Sequence, residues 1–328
     1  MAELRWHPLL REWVVTATQR QDRTFLPPRD FCPLCPTRPG GFHSELSRPA
    51  YDVAVFENRF PSMRLMPPEP EVEPQGVFDV RPARGVCEVV VFTSEHDTTL
   101  AQQSVEHIHR LIQVWTHRYV ELGALPGIEY VFIFENKGEV VGVTLHHPHG
   151  QIYAYPFIPP LIARELDSAR VHRESTGRCL QCDVLEQERS DARRVLLENA
   201  HFTAVIPFYA RWPYEVHIVA RRHLGALSDL APDEGWSLAR ALKRVLVGYD
   251  QLFGFSMPYI LSLRQTPTDG GVHDYAHFAI QIYPPHRTAT KLKYLAGSET
   301  AAGAFINDSL PEEKAAELRA VLPTEEEI

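Results

Sequence analysis

The sequence predicts an α+β protein of two related units, each an antiparallel-rich sheet with one dominant helix. Three observations carry that prediction. Strand-like runs outnumber helical ones, each half holds one long helix with a single apolar stripe, and both halves repeat the order Cys, Cys, His, His. The boundary falls near residues 165–178, dividing the 328-residue chain into units 1–170 and 171–328.

In the first half, REWVVTAT, YDVAVFEN, CEVVVF and IEYVFIF read as strands, because β-branched and aromatic residues dominate runs bounded by turn formers. The stretches Pro27 to Pro39 and Pro67 to Pro74 read as loops, since proline cannot join a central strand. After IEYVFIF, the segment ENKG-EVVGV predicts a hairpin turning near Lys137 and Gly138. Between the strands, Ile108, Leu111, Ile112, Trp115, Tyr119 and Leu122 recur at helical spacing and predict one buried stripe. His107, His109 and His117 fall off it and are expected in solvent. In the second half, FTAVIPF, YEVHIVA, YILSLR and HFAIQIY read as strands, and Leu238, Leu242, Val245, Leu246, Tyr249 and Phe253 mark the second long helix. A last helix begins after Ser309, with Pro311 and Glu312 favouring its first turn.

Composition narrows the function. Hydrophobic residues at 44% and charged ones at 23% describe a folded chain rather than a disordered one. A formal charge of −9 argues against a broad nucleic-acid or anionic membrane surface, so a phosphate-bearing ligand needs local groups to hold it. No run reaches a membrane-spanning length, and MAELRWHPLL lacks the regions of a signal peptide, which makes the cytoplasm the expected location.

Four of the five cysteines form two Cys-x-x-Cys pairs, Cys32/Cys35 and Cys179/Cys182. His96 and His147 follow the first pair, and His223 and His277 follow the second. Two thiolates with two imidazoles suit tetrahedral zinc, and four protein ligands close the shell, so two structural zincs are expected. Cys87 opens a strand-like run and is expected in the core.

The densest chemistry lies in GVTLHHPHGQIYAYP. Period-two geometry puts His147, His149 and Gln151 on one face and His146 on the other. Pro148 restricts the backbone between the histidines, and Gly150 is expected to let a ligand approach the main chain. One histidine can anchor a metal while its neighbour, as a neutral imidazole, attacks phosphorus.

This segment resembles the histidine-triad (HIT-like) superfamily, specifically its galactose-1-phosphate uridylyltransferase branch. The likeness also covers RWHPLLREWVVTATQR with Asp22 and Arg23, the first cysteine pair, VFENRFP, FENKG, the YPP of the second half and KYLAGSE. It implies two HIT-like units and a two-step exchange through a uridylyl-histidine, with UDP-glucose or UDP-galactose and hexose 1-phosphates as substrates. It also implies a homodimer whose subunits share active sites. Residue by residue, His149 is then the nucleophile and Gln151 a donor to phosphoryl oxygens. His147 ligates zinc with Cys32, Cys35 and His96. Arg20 and Arg23 lie near the phosphates, Asn58 beside the uridine, and Asn136 and Thr144 around the diphosphate or nucleophile. Lys293 and Glu299 position the hexose and its phosphate. Two departures stand out. Arg59 follows Asn58 where many relatives have aspartate. A second metal site of bacterial relatives keeps its glutamate as Glu165 but has Ala279 and Gln281 for its histidines. The second set, Cys179, Cys182, His223 and His277, resembles the two-zinc arrangement of branches that include an ADP-glucose phosphorylase. An adenylyl-transferring enzyme is therefore the nearest alternative, and a non-enzymatic zinc-stabilised nucleotide-binding module is the alternative of another class. A hydrolase is disfavoured by Gln151.

Overall fold

The computed structural model describes residues 2–22, 27–37, 40 and 43–328. It is a mixed α+β fold with antiparallel sheets. Arg23 and Pro39 lie outside the described residues.

Among the described residues, the first half contributes β1 (Ala2–His7), β2 (Glu12–Ala17), β3 (Ala54–Glu57), β4 (Val80–Pro82), β5 (Val86–Val91), α1 (Val105–Gly123), β6 (Tyr130–Lys137) and β7 (His149–Tyr155). Two helices follow, α2 (Pro160–Thr176) and α3 (Leu180–Asp191). The second half adds β8 (Val195–Glu198), β9 (Phe202–Val205), β10 (Val216–Ala220), α4 (Pro232–Phe253), β11 (Tyr259–Arg264), β12 (Ala279–Tyr283), α5 (Gly297–Ala302) and α6 (Pro311–Arg319). Among the described residues, no helix is long and apolar enough to cross a membrane.

The two halves share one sheet. Nine of the described strands run in the order β3-β5-β7-β6-β11-β12-β10-β9-β8, all pairs antiparallel, and the β6–β11 pairing is the seam between halves. β2, β1 and β4 form a separate small sheet.

α1 and α4 pack against each other on one face of the large sheet. Ser104 caps α1 by accepting from the His107 N–H, and the six stripe residues from Ile108 to Leu122 are all buried. Pro232 opens α4 and Glu234 accepts from the Ala231 N–H, a start favoured by both capping and dipole. Burying each large apolar side chain of these stripes contributes roughly 1.5–3 kcal/mol before entropy is counted. The main core therefore lies between the helix pair and the sheet, while the opposite face carries smaller apolar clusters around Cys87 and Val89 beside its polar side chains.

Several expectations change. Residues after Gly138 do not return as a strand; Glu139–Val141 is a 3₁₀ turn between Gly138 and Gly142, and β6 pairs with β7 and β11. Val140 is exposed, so the segment has no sheet face to bury. His107 is buried, with Nε2 2.6 Å from the Phe92 carbonyl, while His109 stacks on Trp236. His117 remains in solvent, beside Glu121. Cys87 is in the core as expected. The stretch 165–178 runs through most of α2, a helix that sequence periodicity missed because only Ile162 of it is buried.

Candidate active site and metal centres

Both Cys-Cys-His-His sets converge in space. Cys32, Cys35, His96 and His147 place their ligand atoms within 4.8 Å of one another, and so do Cys179, Cys182, His223 and His277. In the first set Cys35 Sγ lies 3.3 Å from His96 Nδ1 and 3.5 Å from His147 Nδ1. In the second, Cys179 and Cys182 Sγ lie 3.5 and 3.4 Å from His277 Nδ1, and Cys182 Sγ lies 4.0 Å from His223 Nδ1. A tetrahedral zinc with ordinary bond lengths separates sulfur from nitrogen by about 3.6 Å. The donor sets fit that ion.

The outer hydrogen bonds fit as well. His147 Nε2 sits 2.7 Å from the Thr93 carbonyl and His277 Nε2 2.9 Å from the Ala220 carbonyl. A carbonyl only accepts, so each Nε2 carries the proton and each Nδ1 lone pair faces the thiols. The paired rings match too, at 5.4 Å and 79° for His96/His147 and 5.4 Å and 78° for His223/His277. Burial pushes the His147 imidazole down to about 4, keeping it neutral as a ligand must be.

The first centre is continuous with β7. His147 precedes the strand, and its carbonyl accepts from His149 Nδ1 at 2.7 Å. The donated proton fixes the His149 tautomer and leaves Nε2 unprotonated. Burial lowers the His149 pKa, which also favours the neutral ring. His149 and Gln151 alternate with buried Gly150 and Ile152, so they share the face turned away from the helices. His147 precedes the strand, at a bend in the chain, and is wholly buried at the metal set, so strand alternation does not govern its side chain. His146 is exposed beside Glu139.

Gly150 serves packing, not ligand approach. A Cβ there would lie 2.9 Å from the Phe134 carbonyl and 2.9 Å from the Phe92 ring.

A cleft opens over His149 and Gln151. Arg20, Asn58, Asn136 and Thr144 also line it, so the structure brings these expected residues together. Arg20 Nη1 donates to the Tyr153 hydroxyl at 3.0 Å, and that hydroxyl donates to Gln151 Oε1 at 3.2 Å. Asn58 Nδ2 donates to the same oxygen at 3.3 Å. With Oε1 doubly engaged, the Gln151 NH₂ is the group left to donate to a ligand. Tyr153 went unnoticed in the sequence, although the period-two pattern of His149 and Gln151 continues to it. Arg59 lines the cleft as well and is held by Glu45 at 3.2 Å.

Lys293 and Glu299 are not among the residues lining this cleft. They form a buried ion pair at 3.1 Å, and Lys293 Nζ also donates to the Ile306 carbonyl. Glu165 is paired with Arg264 at 2.8 Å.

Comparison with known proteins follows the same outline. A family model described as the N-terminal domain of galactose-1-phosphate uridyl transferase matches residues 1–159, and one for its C-terminal domain matches residues 165–327. A Thermotoga maritima protein named galactose-1-phosphate uridylyltransferase is 42% identical, over 97% of this chain and 98% of its own. The Rattus norvegicus protein of that name is 34% identical, over 98% of this chain and 87% of its own. A solved structure described as a uridylyltransferase superposes with a TM-score of 0.86 at 35% identity, covering 97% of this chain and 98% of that one. An ADP-glucose phosphorylase from Arabidopsis thaliana, solved with ADP-glucose bound, shares the fold at a TM-score of 0.75 and 24% identity, covering 99% of this chain and 100% of its own.

Proposed function

From a chain that belongs to the galactose-1-phosphate uridyl transferase family, we propose an enzyme that moves UMP from UDP-glucose to galactose 1-phosphate through a uridylyl-His149 intermediate. The observation that carries this reading is the hydrogen bond from His149 Nδ1 to the His147 carbonyl, which aims an unprotonated Nε2 as nucleophile.

In the first half-reaction, Nε2 bonds to the α-phosphorus while the bond from that phosphorus to the bridging oxygen breaks. Glucose 1-phosphate leaves with the electron pair. The ring becomes cationic as the P–N bond forms, and its Nδ1–H bond to the carbonyl stabilises that charge. A phosphate oxygen of galactose 1-phosphate then attacks the same phosphorus, the P–N bond breaks, and UDP-galactose forms. Gln151 donates its NH₂ to the phosphoryl oxygens throughout, and as a neutral amide it does not protonate the waiting intermediate. Arg20, Asn136 and Thr144 supply further polar contacts from the cleft wall, and Asn58 stands toward the nucleoside.

A zinc held by Cys32, Cys35, His96 and His147 supplies structural closure, as does a second held by Cys179, Cys182, His223 and His277. Free cysteines in such sets suit a reducing cytoplasm. Lys293 and Glu299 pair away from the cleft of their own chain, and exposed Tyr294 and Leu295 lie between them in sequence. In this reading that segment serves the cleft of a second copy, making the working unit a homodimer.

The test is intact-mass measurement after mixing zinc-loaded protein with UDP-glucose. A gain equal to one UMP, lost in His149→Ala, is expected. An AMP adduct from ADP-glucose with none from UDP-glucose would replace the nucleoside and substrate. Folded, metal-loaded protein that forms neither adduct would leave a binding module instead of an enzyme.

A further inference from the structure

The sheet carries the active-site frame twice. One row of paired residues crosses it from Val89 through Gln151, Phe134, Ser262 and Gln281 to His217. Residues paired across antiparallel strands share a face, so Gln281 lies on the same face as Gln151, beyond the seam. β12 sits between β10 and β11 as β7 sits between β5 and β6.

The hydrogen bonds repeat with the register. Arg264 Nη2 donates to the Tyr283 hydroxyl at 3.2 Å, and Tyr283 donates to Gln281 Oε1, as Arg20, Tyr153 and Gln151 do in the first half. His277 precedes Gln281 by four residues, as His147 precedes Gln151. The nucleophile is replaced: Ala279, packed against Leu185 of α3, takes the place of His149.

A second cleft lies over Gln281, roofed by α2 and α3. Val89 and Phe134, the apolar neighbours of Gln151 in the row, become His217 and Ser262 beside Gln281. Gln265 and Gln281 are both buried and line the cleft, and Gln265 Nε2 has no hydrogen-bond partner. The Arg211 guanidinium stacks over the Tyr283 and Phe305 rings at 5.9 and 4.8 Å. Buried amides are costly when unpaired, so a surface this rich in them suits a polar occupant. The formal charges balance: Arg211 and Arg264 oppose Glu165 and Glu215, with Glu215 accepting from the Arg211 and Trp212 N–H groups. Balanced charge disfavours a dianion, whereas amides and tyrosines suit hydroxyl groups.

The geometry points to a second, non-covalent binding site for an uncharged hexopyranose in this cleft. It is assigned no part in group transfer, because Ala279 stands at the position that His149 holds in the first half. The inference stands apart from the chemistry at His149, and its test separates the two.

Galactose and glucose are titrated into metal-loaded protein and followed by ligand-observed NMR, with glucose 1-phosphate as the charged probe. Saturable binding of a neutral hexose is expected in wild type and His149→Ala alike. Gln281→Leu, which keeps the volume and removes the amide, is expected to weaken it about tenfold, the worth of one good hydrogen bond in a dry site. Tyr283→Phe keeps the ring, frees the amide to rotate and weakens binding less; it decides the matter if the leucine variant misfolds. The inference is overturned by no saturable hexose binding, by binding lost in His149→Ala, or by wild-type affinity in both cleft variants. Selective binding of glucose 1-phosphate, sensitive to Gln281→Leu, would overturn the charge argument and with it the assignment.

Discussion

Glu135 lies in the seam, paired with Leu261 across β6 and β11, and is almost fully buried. Burial pushes its carboxyl up to about 7, although Lys137 and the Tyr259 hydroxyl, 3.0 Å away, lower it. Lys137 is itself paired with Asp250 at 3.2 Å. Below pH 4.5 both folded and unfolded chains keep the proton on Glu135. Between pH 4.5 and 7 the unfolded chain releases it while the native state holds it, so stability falls as pH rises and levels off above 7. At roughly 1.4 kcal/mol per pKa unit, the loss between pH 5 and 8 is about 2–3 kcal/mol. Glu135→Gln removes the titration and keeps an acceptor for Tyr259. The variant should therefore gain about 2–3 kcal/mol on wild type between pH 5 and 8. Urea unfolding of both metal-loaded proteins at the two pH values measures this, and groups common to both cancel in the difference. Equal spacing of the two proteins at both pH values would refute the reasoning.

Other outcomes follow from particular contacts. Gly150→Ala should destabilise by about 1–3 kcal/mol in chemical denaturation, because its Cβ would press on the Phe134 carbonyl and Phe92 ring. Cys35→Ser should lower the zinc content by one ion per chain in elemental analysis while the second set stays loaded; unchanged metal content would remove Cys35 from the ligands. Tyr153→Phe loses one neutral donor to Gln151 and an acceptor for Arg20, so adduct formation should slow by about 5- to 100-fold in single-turnover measurements. A His149→Ala chain should show the same melting temperature within a few degrees but no nucleotide adduct at any pH.

Much of the site was legible because it is local or periodic. His149 and Gln151 share a face by strand geometry, and the two Cys-x-x-Cys pairs announce their sets before any coordinates. His147 shows the limit of the period-two argument: it sits at a bend ahead of β7, which begins at His149, so strand alternation does not reach it. The ENKG-EVVGV hairpin fails for a different reason. A turn signal says that the chain bends, not which strand takes the free edge, and here β7 and β11 take both edges of β6. His107 reads as a surface residue because its partner, the Phe92 carbonyl, comes from another element. α2 and α3 were invisible for want of an apolar stripe, since they pack through few side chains. Lys293 and Glu299 came from resemblance alone, and only coordinates reveal that they pair with each other.

The seam is also a place where the chain can be divided. A cut ahead of α2 would leave β6 as the bare edge of one fragment and β11 as the bare edge of the other, each a row of unpaired backbone donors and acceptors matched to its former neighbour. Such edges are expected to pair again. Expressed as two separate polypeptides, residues 1–159 and 160–328 should complement each other, and the recovery of one continuous sheet would report their meeting.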